Sequence, residues 1–265
     1  MSQDNTTDYL IIQITDTHLM ERPEDEFVKM NPEHHFYAVM ADLLERHPTA
    51  HGIIHTGDLA QVATAATYQR YLNYMQQFDI PFVQIPGNHD DLSIFPFHTP
   101  EPTPGVVEFG NWVCILLNSA VSGKTDGWIQ ENQLEQLYTL LTQYQDRYVV
   151  LACHHHPFEM KSQWIDQHKL KNTQDFIDTI APFDNIKAVI CGHVHQESTT
   201  MWNNIPFLST PATCVQFKPL STNFALDEIA PGYRSLHLKA NGDISTEVYR
   251  LKDFNIEINK EISGY

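Results

Sequence analysis

The sequence predicts an α/β protein, folded as a sandwich that contains more than one β-sheet. Along the first two thirds of the chain, short apolar runs typical of strands alternate with stretches in which apolar residues recur at helical spacing. After Gly192 the strand-like runs continue, but no strong helix separates them. Alternating strands and helices favour a sheet covered by helices, and the β-rich last third adds strands beyond it. No linker, repeat or low-complexity stretch divides residues 1–265, so we expect a single domain.

The predicted strands are short runs rich in β-branched and aromatic residues that stop at polar or turn-forming residues. In chain order they are residues 9–15, 52–56, 81–85, 112–117, 148–152, 188–191, 206–209, 233–238 and 244–250. Their lengths of four to seven residues are typical of strands in globular proteins.

Helices are predicted where apolar side chains recur three or four positions apart. The segments are residues 32–47, 64–78, 130–143 and a region that includes residues 176–180. In the first of them, Phe36, Met40 and Leu43 form the apolar stripe. Each helix follows a predicted strand, which is the arrangement that strand–helix units require.

Two segments are predicted to lie outside the regular elements. Residues 1–8 are polar, and we expect them to form a disordered tail. Residues 157–172 lie between a strand and a helix and combine a proline, a tryptophan and charges of both signs. A segment of this composition at the end of a strand is expected to act as a lid over a site.

The formal net charge of −17 narrows the classes of partner. Nucleic acid polymers and anionic membranes are disfavoured, because both would be repelled by an acidic surface. No apolar run approaches the roughly 20 residues of a membrane-spanning helix, and the first residues lack the basic and apolar regions of a secretory signal. The four cysteines are scattered, as expected for buried free thiols in a reducing compartment. We therefore expect a cytoplasmic protein.

Polar residues of one chemical kind follow five of the predicted strands. They belong to the sequences Thr-Asp-Thr-His (15–18), Thr-Gly-Asp (56–58), Pro-Gly-Asn-His-Asp (86–90), His-His-His-Pro (154–157) and Cys-Gly-His-Val-His (191–195). In an open, largely parallel sheet, ligands bind at the carboxyl ends of the strands, so these groups should converge. Carboxylate, amide and imidazole groups bind first-row divalent metals, and their number exceeds what one ion needs. The sequence therefore predicts a two-metal hydrolytic centre.

Taken singly, most of these sequences have ordinary structural explanations. Gly-Asp and Gly-Asn are common in turns, and an Asp two residues before a His is frequent in loops. Residues two apart in an extended segment do point the same way, so Asp16 and His18 can reach one ion, as can His193 and His195. Three consecutive imidazoles after an apolar strand would cost stability unless something binds them. The ordered set as a whole therefore points to a metal centre.

This ordered set resembles the calcineurin-like metallophosphoesterase family. Its pattern of Asp-x-His, Gly-Asp, Gly-Asn-His-Asp/Glu, a single His and Gly-His-x-His spans residues 16–195 here, with no departure at a motif position. The resemblance implies a four-layer α-β-β-α sandwich, in which two mixed β-sheets are flanked by helices. It also implies a centre of two divalent metal ions, with iron or manganese favoured and zinc possible for mixed oxygen and nitrogen ligands.

The resemblance also assigns roles to individual residues. Asp16, His18 and His195 would bind one metal, Asn88, His155 and His193 would bind the other, and Asp58 would bridge both. His155 fits the family's single His best, while His154 and His156 remain open because the three residues are identical. Two metals of this kind activate a water and stabilise the phosphoryl oxygens. His89 is not needed as a ligand, so it is the expected catalytic group that contacts the phosphate and protonates the leaving oxygen.

A narrower resemblance, to the bacterial class III 3′,5′-cyclic-AMP phosphodiesterases, covers nearly the whole chain. It includes Asp-Thr-His-Leu, Gly-Asp-Leu-Ala-Gln and Gly-His-Val-His-Gln, and also residues 164–168, 210–219 and 223–234 outside the metal motifs. It implies hydrolysis of cyclic AMP to 5′-AMP, which would lower intracellular cyclic AMP. His18, Asp58, Asn88, His89 and His195 would then line the substrate phosphate.

The alternatives to this function share the same metal residues. A glycerophosphodiesterase, a nucleotide pyrophosphatase or a 2′,3′-cyclic nucleotide phosphodiesterase could use the same core, because these residues handle the phosphate and not the alcohol. A binding protein that has lost catalysis is a further alternative, although every ligand position is filled. Residues 157–172 and 210–234 are the expected base and ribose contacts, but Phe217, Phe224 and Tyr233 fit a purely structural core role equally well. The oligomeric state is not predicted.

Overall fold

A computed structural model describes residues 7–101 and 103–252, together with residues 254, 256, 258, 259, 262 and 264. The strands are β1 Tyr9–Ile14, β2 Gly52–His55, β3 Phe82–Gln84, β4 Gly105–Phe109, β5 Trp112–Leu116, β6 Tyr148–Ala152, β7 Ile186–Cys191, β8 Ser198–Trp202, β9 Ile205–Ser209, β10 Gln216–Phe217, β11 Leu226–Asp227, β12 Gly232–Leu238 and β13 Ile244–Arg250. The helices are α1 Pro32–Arg46, α2 Ala65–Met75, α3 Glu131–Gln143, α4 Gln163–Asp166 and α5 Thr173–Ile180.

The two large sheets are both mixed. The first has the order β13-β12-β1-β2-β3, in which β1, β2 and β3 are parallel and β12 pairs antiparallel with β1 and β13. The second has the order β4-β5-β6-β7-β9-β8, in which β5, β6, β7 and β9 are parallel and the two edge strands are antiparallel. In the second sheet the parallel strands occupy the inner positions, whereas in the first sheet the parallel strand β3 forms one edge.

Three apolar clusters arrange these elements in four layers. One cluster lies between the two sheets and includes Ile54 from β2 and Val150 from β6. A second packs α1 and α2 on the outer face of the first sheet, through residues such as Phe36. The third packs α3 and α5 on the outer face of the second sheet, through residues such as Leu137 and Phe176. The predicted four-layer α-β-β-α sandwich is therefore confirmed.

Helix α1 begins where the sequence supplies a capping group. The side chain of Asn31 accepts a hydrogen bond from the backbone N–H of His34, and Pro32 occupies the first helical position. Thr64 caps α2 in the same way, by accepting from the backbone N–H of Thr67. Both helices connect parallel strands of the first sheet, α1 between β1 and β2 and α2 between β2 and β3.

The structure differs from the predicted elements mainly at sheet edges. The edge strands β4 and β8 were not predicted, because their residues are largely half-exposed or exposed and lack a continuous apolar run. The short pair β10 and β11 and the single-turn helix α4 were also missed. Of the predicted disordered tail, residues 1–6 lie outside the described residues. Among the described residues, no helix has the length and apolar character needed to cross a membrane.

Candidate metal centre

The two sheets bring the predicted ligands to a common edge. Asp16 and His18 follow β1, Asp58 follows β2, and Asn88 lies four residues after the end of β3. The three consecutive histidines follow β6, and the last two predicted ligands follow β7. All of these strands are parallel members of their sheets, so their carboxyl ends meet where the sheets face each other. The sequence-predicted residues are thus neighbours in space.

One group of ligand atoms surrounds the carboxylate of Asp16. The Nε2 atom of His195 lies 3.3 Å from Oδ1 of Asp16, and the Nε2 atom of His18 lies 3.9 Å from the same oxygen. The two imidazoles approach each other to 3.2 Å between their Nε2 atoms. The side chain of Asp58 completes this group, with its Oδ2 atom 3.7 Å from Nε2 of His18. All four side chains are almost fully buried.

A second group of ligand atoms shares the same Asp58. The Nε2 atom of His154 lies 3.3 Å from Oδ2 of Asp58 and 3.2 Å from Oδ1 of Asn88. The nitrogen of His193 lies close enough to those of His154 and His155 for one ion to contact all three. The Oδ2 atom of Asp58 therefore faces both groups, as a bridging ligand must.

Three imidazoles of the centre are oriented by the same kind of hydrogen bond, from Nδ1 to an oxygen. The Nδ1 atom of His18 lies 2.7 Å from Oε1 of Gln61, that of His154 lies 2.7 Å from the carbonyl oxygen of Thr56, and that of His195 lies 2.8 Å from the carbonyl oxygen of Val215. Because each Nδ1–H donates to an oxygen, each ring is oriented with its Nε2 atom facing the centre. The ligand atoms are thereby preorganised.

His154 and His155 differ in what their rings contact. His154 reaches Asp58 and Asn88, whereas the Nδ1 atom of His155 lies 2.8 Å from Oγ of Ser119 and its Nε2 atom is buried without a hydrogen-bond partner among the described residues. Gly57, with φ of +102°, passes directly beneath the His154 ring, where any side chain would collide with it. His154 is therefore the imidazole that contacts Asp58 and Asn88, whereas His155 presents an Nε2 atom without a described partner beside that of His193.

The electrostatics of the centre suit cation binding. Burial lowers the pKa of His18 to about 3, and burial together with the neighbouring imidazoles lowers the pKa of His193 well below its ordinary value. Both side chains are thus neutral near pH 7, which is the form that binds a metal. Burial alone would raise the pKa of Asp58, but the adjacent His154 and His89 hold it well below the usual range. The centre therefore presents the ionised carboxylate of Asp58 beside the neutral imidazoles of His18 and His193.

The residue types and their burial fit a pair of divalent ions. The Nε2 atom of His193 is buried and has no hydrogen-bond partner among the described residues, which is costly unless a cation binds it. Close sets of ligand atoms are formed by Asp16, Asp58 and His154, and by His18, Asp58 and His89. Buried carboxylates and imidazoles at such density are stabilised by coordination to a metal.

Five of the predicted ligands have a strained backbone. Residues with positive φ are uncommon outside glycine, yet these five have φ between 47° and 70°. They are Asp16, His18, Asp58, His193 and His195. Strain of this kind concentrates at functional sites, where the surrounding structure imposes it. Here it occurs at two ligand residues after β1, at one after β2 and at two after β7.

Asp90 ties two of the ligand loops together. Its Oδ1 atom accepts hydrogen bonds from the backbone N–H of Ala60 and the hydroxyl of Tyr68, and its Oδ2 atom accepts from the backbone N–H groups of Leu59 and Gly87. The loop after β2, which carries Asp58, is thereby fixed to the loop after β3. The carboxylate is almost fully buried, so these four donors depend on it alone.

His89 lies next to Asp58 and His18, on the side of the centre that faces a cavity. Its backbone N–H donates to Oδ1 of Asp58 at 2.8 Å, and its ring meets that of His18 edge to face, with centroids 4.9 Å apart. The side chain is half-buried and lines a cavity next to the centre. It is therefore oriented by a ligand loop while its ring remains accessible from the cavity.

Several supporting residues were not predicted. Gln61, Asp90 and the carbonyl of Val215 orient ligands, and the buried thiol of Cys214 lies close to the nitrogens of His18 and His195. Gln61 and Asp90 belong to the sequences Gly-Asp-Leu-Ala-Gln and Gly-Asn-His-Asp, so the motifs contained them although neither residue was given a role. Val215 and Cys214 follow β9, whose carboxyl end lies at the same edge. The contact of Val215 is made by its backbone carbonyl, so its side chain gives no indication of this role.

A four-layer α/β sandwich with two buried Asp, Asn and His ligand sets at one sheet edge defines a metal-dependent phosphoesterase. The model of the family described as calcineurin-like phosphoesterase matches residues 9–197, and the chain belongs to that family. This match confirms the resemblance seen in the motifs, and it implies a centre of two divalent metals.

Known proteins extend the comparison to the rest of the chain. The 3′,5′-cyclic adenosine monophosphate phosphodiesterase CpdA of Escherichia coli (strain K12) is 38% identical, over 96% of this chain and 94% of its own. A dimetal phosphatase from Danio rerio is 12% identical, with a TM-score of 0.61 over 90% of this chain and 98% of that one. GAP50, described as the anchor in the inner membrane complex of Plasmodium, is 10% identical, with a TM-score of 0.64 over 96% and 89%. The two structures establish the fold alone.

Proposed function

We propose that this chain hydrolyses 3′,5′-cyclic AMP to 5′-AMP at a centre of two divalent metal ions. The observation that carries the proposal is the position of Asp58, whose Oδ2 atom faces His18 at 3.7 Å and His154 at 3.3 Å and thus joins two ligand sets. The substrate is supported by the Escherichia coli relative, which carries the name of this activity and aligns with nearly the whole chain.

The proposed ligands divide into two sets that share Asp58. Asp16, His18 and His195 would hold one ion, and Asn88, His154 and His193 would hold the other. His155 was the sequence-based choice for the second set, and the contacts of His154 with Asp58 and Asn88 are the reason for proposing His154 instead. The mixture of carboxylate, amide and imidazole ligands favours Fe²⁺ or Mn²⁺, with Zn²⁺ as a further possibility.

The metals, when bound, activate a water and stabilise negative charge on the phosphoryl oxygens. The protein's own residues then position and protonate the substrate. Asn88 and His89 face the cavity, so they would contact the phosphate. Attack of water on phosphorus breaks the bond to the 3′ oxygen, and the His89 ring would give that oxygen its proton. The products are a 5′-phosphate and a 3′-hydroxyl.

The proposed setting is the cytoplasm, where the reaction would lower cyclic AMP. The four cysteines are buried and unpaired, which fits a reducing compartment. A net charge of −17 disfavours nucleic acid polymers and anionic membranes as partners, and it leaves the small-molecule substrate as the proposed ligand.

The experiment is a substrate panel with the metal-stripped protein reloaded with Mn²⁺ and then with Fe²⁺. The panel compares 3′,5′-cyclic AMP with 3′,5′-cyclic GMP, 2′,3′-cyclic AMP, a glycerophosphodiester, a dinucleoside pyrophosphate and a phosphomonoester. We expect the highest kcat/KM for a 3′,5′-cyclic nucleotide. Hydrolysis of the glycerophosphodiester or the 2′,3′-cyclic nucleotide in its place would transfer the assignment to those activities.

A pair of variants separates an enzyme from a binding protein. Asp58→Ala should abolish hydrolysis, because it removes the ligand that both sets share. Asp243→Asn changes an exposed carboxylate beyond β12 and should leave kcat and metal content at the wild-type values. Metal analysis accompanies both measurements, and a wild-type protein that binds no divalent ion would favour a binding protein on this fold.

A further inference from the structure

A cavity of about 570 Å³ opens from the metal centre. On one side it is lined by Asn88, His89 and His193, and on the other by residues of the segments 157–172 and 210–234. Its volume lies within the range of small-molecule sites. A substrate phosphate at the centre would therefore extend its remaining atoms into this space.

The lining of the cavity carries no formal charge apart from its histidines. Among the described lining residues there is no Asp, Glu, Lys or Arg. A second phosphate would find no charged side chain among them to pair with, although phosphates are recognised in proteins by cationic side chains. The cavity therefore suits an uncharged group attached to the phosphate.

Two aromatic rings form an apolar wall of the cavity. Trp164 and Phe224 meet edge to face, with centroids 5.0 Å apart and an angle of 75° between the rings. Behind them, the Phe217 ring lies 4.9 Å from that of Trp164 and stacks on the ring of His195, with centroids 3.9 Å apart and planes 8° apart. The aromatic wall is thus packed directly against a residue of the metal centre, which fixes its distance from the phosphate.

Two amide side chains lie at the rim of the same wall. Gln167 and Asn223 line the cavity, are exposed, and make no side-chain hydrogen bond with the described residues. By contrast, the polar neighbours Thr125 and His168 bind each other, with 2.8 Å between Oγ1 and Nδ1. The hydroxyl of Ser221 donates to the carbonyl of Asn223 and holds that loop in place. The two amides are therefore available to pair with a ligand.

We propose that this cavity is a purine subsite in which the base packs against Trp164 and Phe224 and the amide of Asn223 reads its polar edge. An uncharged, planar group with donors and acceptors on its rim matches the lining, and carboxamides pair with adenine through its amino group and ring nitrogen. This inference rests on the proposed function and names the part of the substrate that sets its specificity.

The first test compares cyclic AMP with an abasic analogue, 1-deoxyribose 3′,5′-cyclic phosphate, which keeps the reacting ring and lacks the base. In Trp164→Leu, the ratio of kcat/KM for cyclic AMP to that for the analogue should fall about tenfold, because a stacking surface is lost. Trp164→Phe keeps an aromatic ring and should restore part of the ratio. Trp128→Leu, at a tryptophan that is 45% exposed elsewhere on the surface, is the matched control. Parallel losses on both substrates, or no loss, would overturn the subsite.

The second test concerns the polar edge of the base. Asn223→Leu should change the ratio of kcat/KM for cyclic AMP to that for cyclic GMP by about fivefold or more, since a base-reading hydrogen bond is removed. Gln163→Leu alters an exposed amide of the segment 157–172 that does not line the cavity, and it should leave that ratio unchanged. An unchanged ratio in Asn223→Leu would remove this residue from base recognition.

Binding measurements keep the inference separate from the proposed reaction. Calorimetry should show that 5′-AMP binds more tightly than ribose 5-phosphate, and that Trp164→Leu reduces this difference about tenfold. A wild-type protein that fails to hydrolyse cyclic AMP but shows this difference would contradict the proposed reaction and retain the purine subsite. Equal affinities for the two ligands would contradict the subsite, whatever the protein hydrolyses.

Discussion

The Nε2 atom of His154 lies 3.3 Å from the Oδ2 atom of Asp58, while its Nδ1 atom donates to the carbonyl of Thr56 at 2.7 Å. Burial lowers the pKa of His154, but Asp58 and Asp16 outweigh burial and raise the pKa to about 9. The imidazole is thus held on both sides and directed at the carboxylate that joins the two ligand sets. This relationship distinguishes His154 from the two histidines that follow it.

Substitution of the consecutive histidines should therefore have unequal effects. We expect His154→Ala to lower the metal content from about two ions per chain to about one and to reduce kcat/KM by at least about 100-fold, since even the groups that support metal ligands contribute about 10- to 100-fold. His155→Ala, which loses the contact with Ser119, should retain the metals. Metal analysis of both purified proteins checks this, and a larger metal loss in His155→Ala would restore the sequence-based assignment.

Substitution of His89 should separate chemistry from metal binding. His89→Ala removes the ring that faces the cavity but keeps the backbone N–H that donates to Asp58. We expect kcat to fall by about 10²- to 10⁴-fold, the usual contribution of a proton donor, with the metal content unchanged. Hydrolysis of a substrate with a 4-nitrophenolate leaving group should fall less, because that group leaves without a proton. Equal losses on both substrates would argue against proton donation.

Asp90 should support the centre without touching it. Asp90→Asn replaces one acceptor oxygen by a donor, so two of its four hydrogen bonds are lost, and we expect about 2–4 kcal/mol less stability. Tyr68→Phe removes a single donor to Asp90 and should cost about 1 kcal/mol. Urea unfolding measures both values, and Mn²⁺ titration should show weaker binding in Asp90→Asn. Wild-type stability in Asp90→Asn would mean that the two loops are held by other contacts.

The buried His35 on α1 should make stability depend on pH. Burial, and then the neighbouring His34, lower its pKa to about 4. The His35 imidazole binds a proton near pH 6.5 in the unfolded chain but only near pH 4 in the folded protein. The free energy of unfolding therefore falls as the pH is lowered from about 6.5 to about 4. The loss is on the order of 3 kcal/mol at most.

The comparison of wild type with His35→Gln isolates this contribution, because the other titrating groups are common to both proteins. Urea midpoints measured from pH 7.5 to pH 4.5 should fall less steeply for the variant. Identical pH slopes would show that His35 is protonated equally in the folded and unfolded states.

The central strands were predictable, and so was the convergence of the polar motifs at their carboxyl ends, because both follow from local pattern. Each of these parallel strands is an apolar run of strand length that is followed by a polar motif. The end of the strand and the polar residues beyond it can therefore both be recognised in the sequence. The edge strand β8 was not predictable in this way, because Ser198–Trp202 alternates half-exposed and exposed residues that resemble a loop. Its pairing with β9 depends on a neighbour that the local sequence does not reveal.

Which of the three consecutive histidines faces Asp58 could not be predicted from residue type. Successive residues of an extended segment point in opposite directions, and only the position of β6 relative to Asp58 decides which ring faces the centre. The same holds for the carbonyl of Val215, because a backbone oxygen leaves no mark in the sequence. Contacts between distant loops, rather than local preferences, supplied this information.

The left-handed backbone at the strand ends has a consequence for how this protein responds to selection. Each such residue costs roughly 1–3 kcal/mol relative to a relaxed backbone, and the buried charges beside it add to that cost. A library sorted only for heat resistance without metals should therefore accumulate glycine or asparagine at Asp16, His18, Asp58, His193 and His195. The most thermostable variants would keep the α-β-β-α sandwich and lose the metal centre. Thermal stability and catalysis therefore place opposite demands on the same five positions.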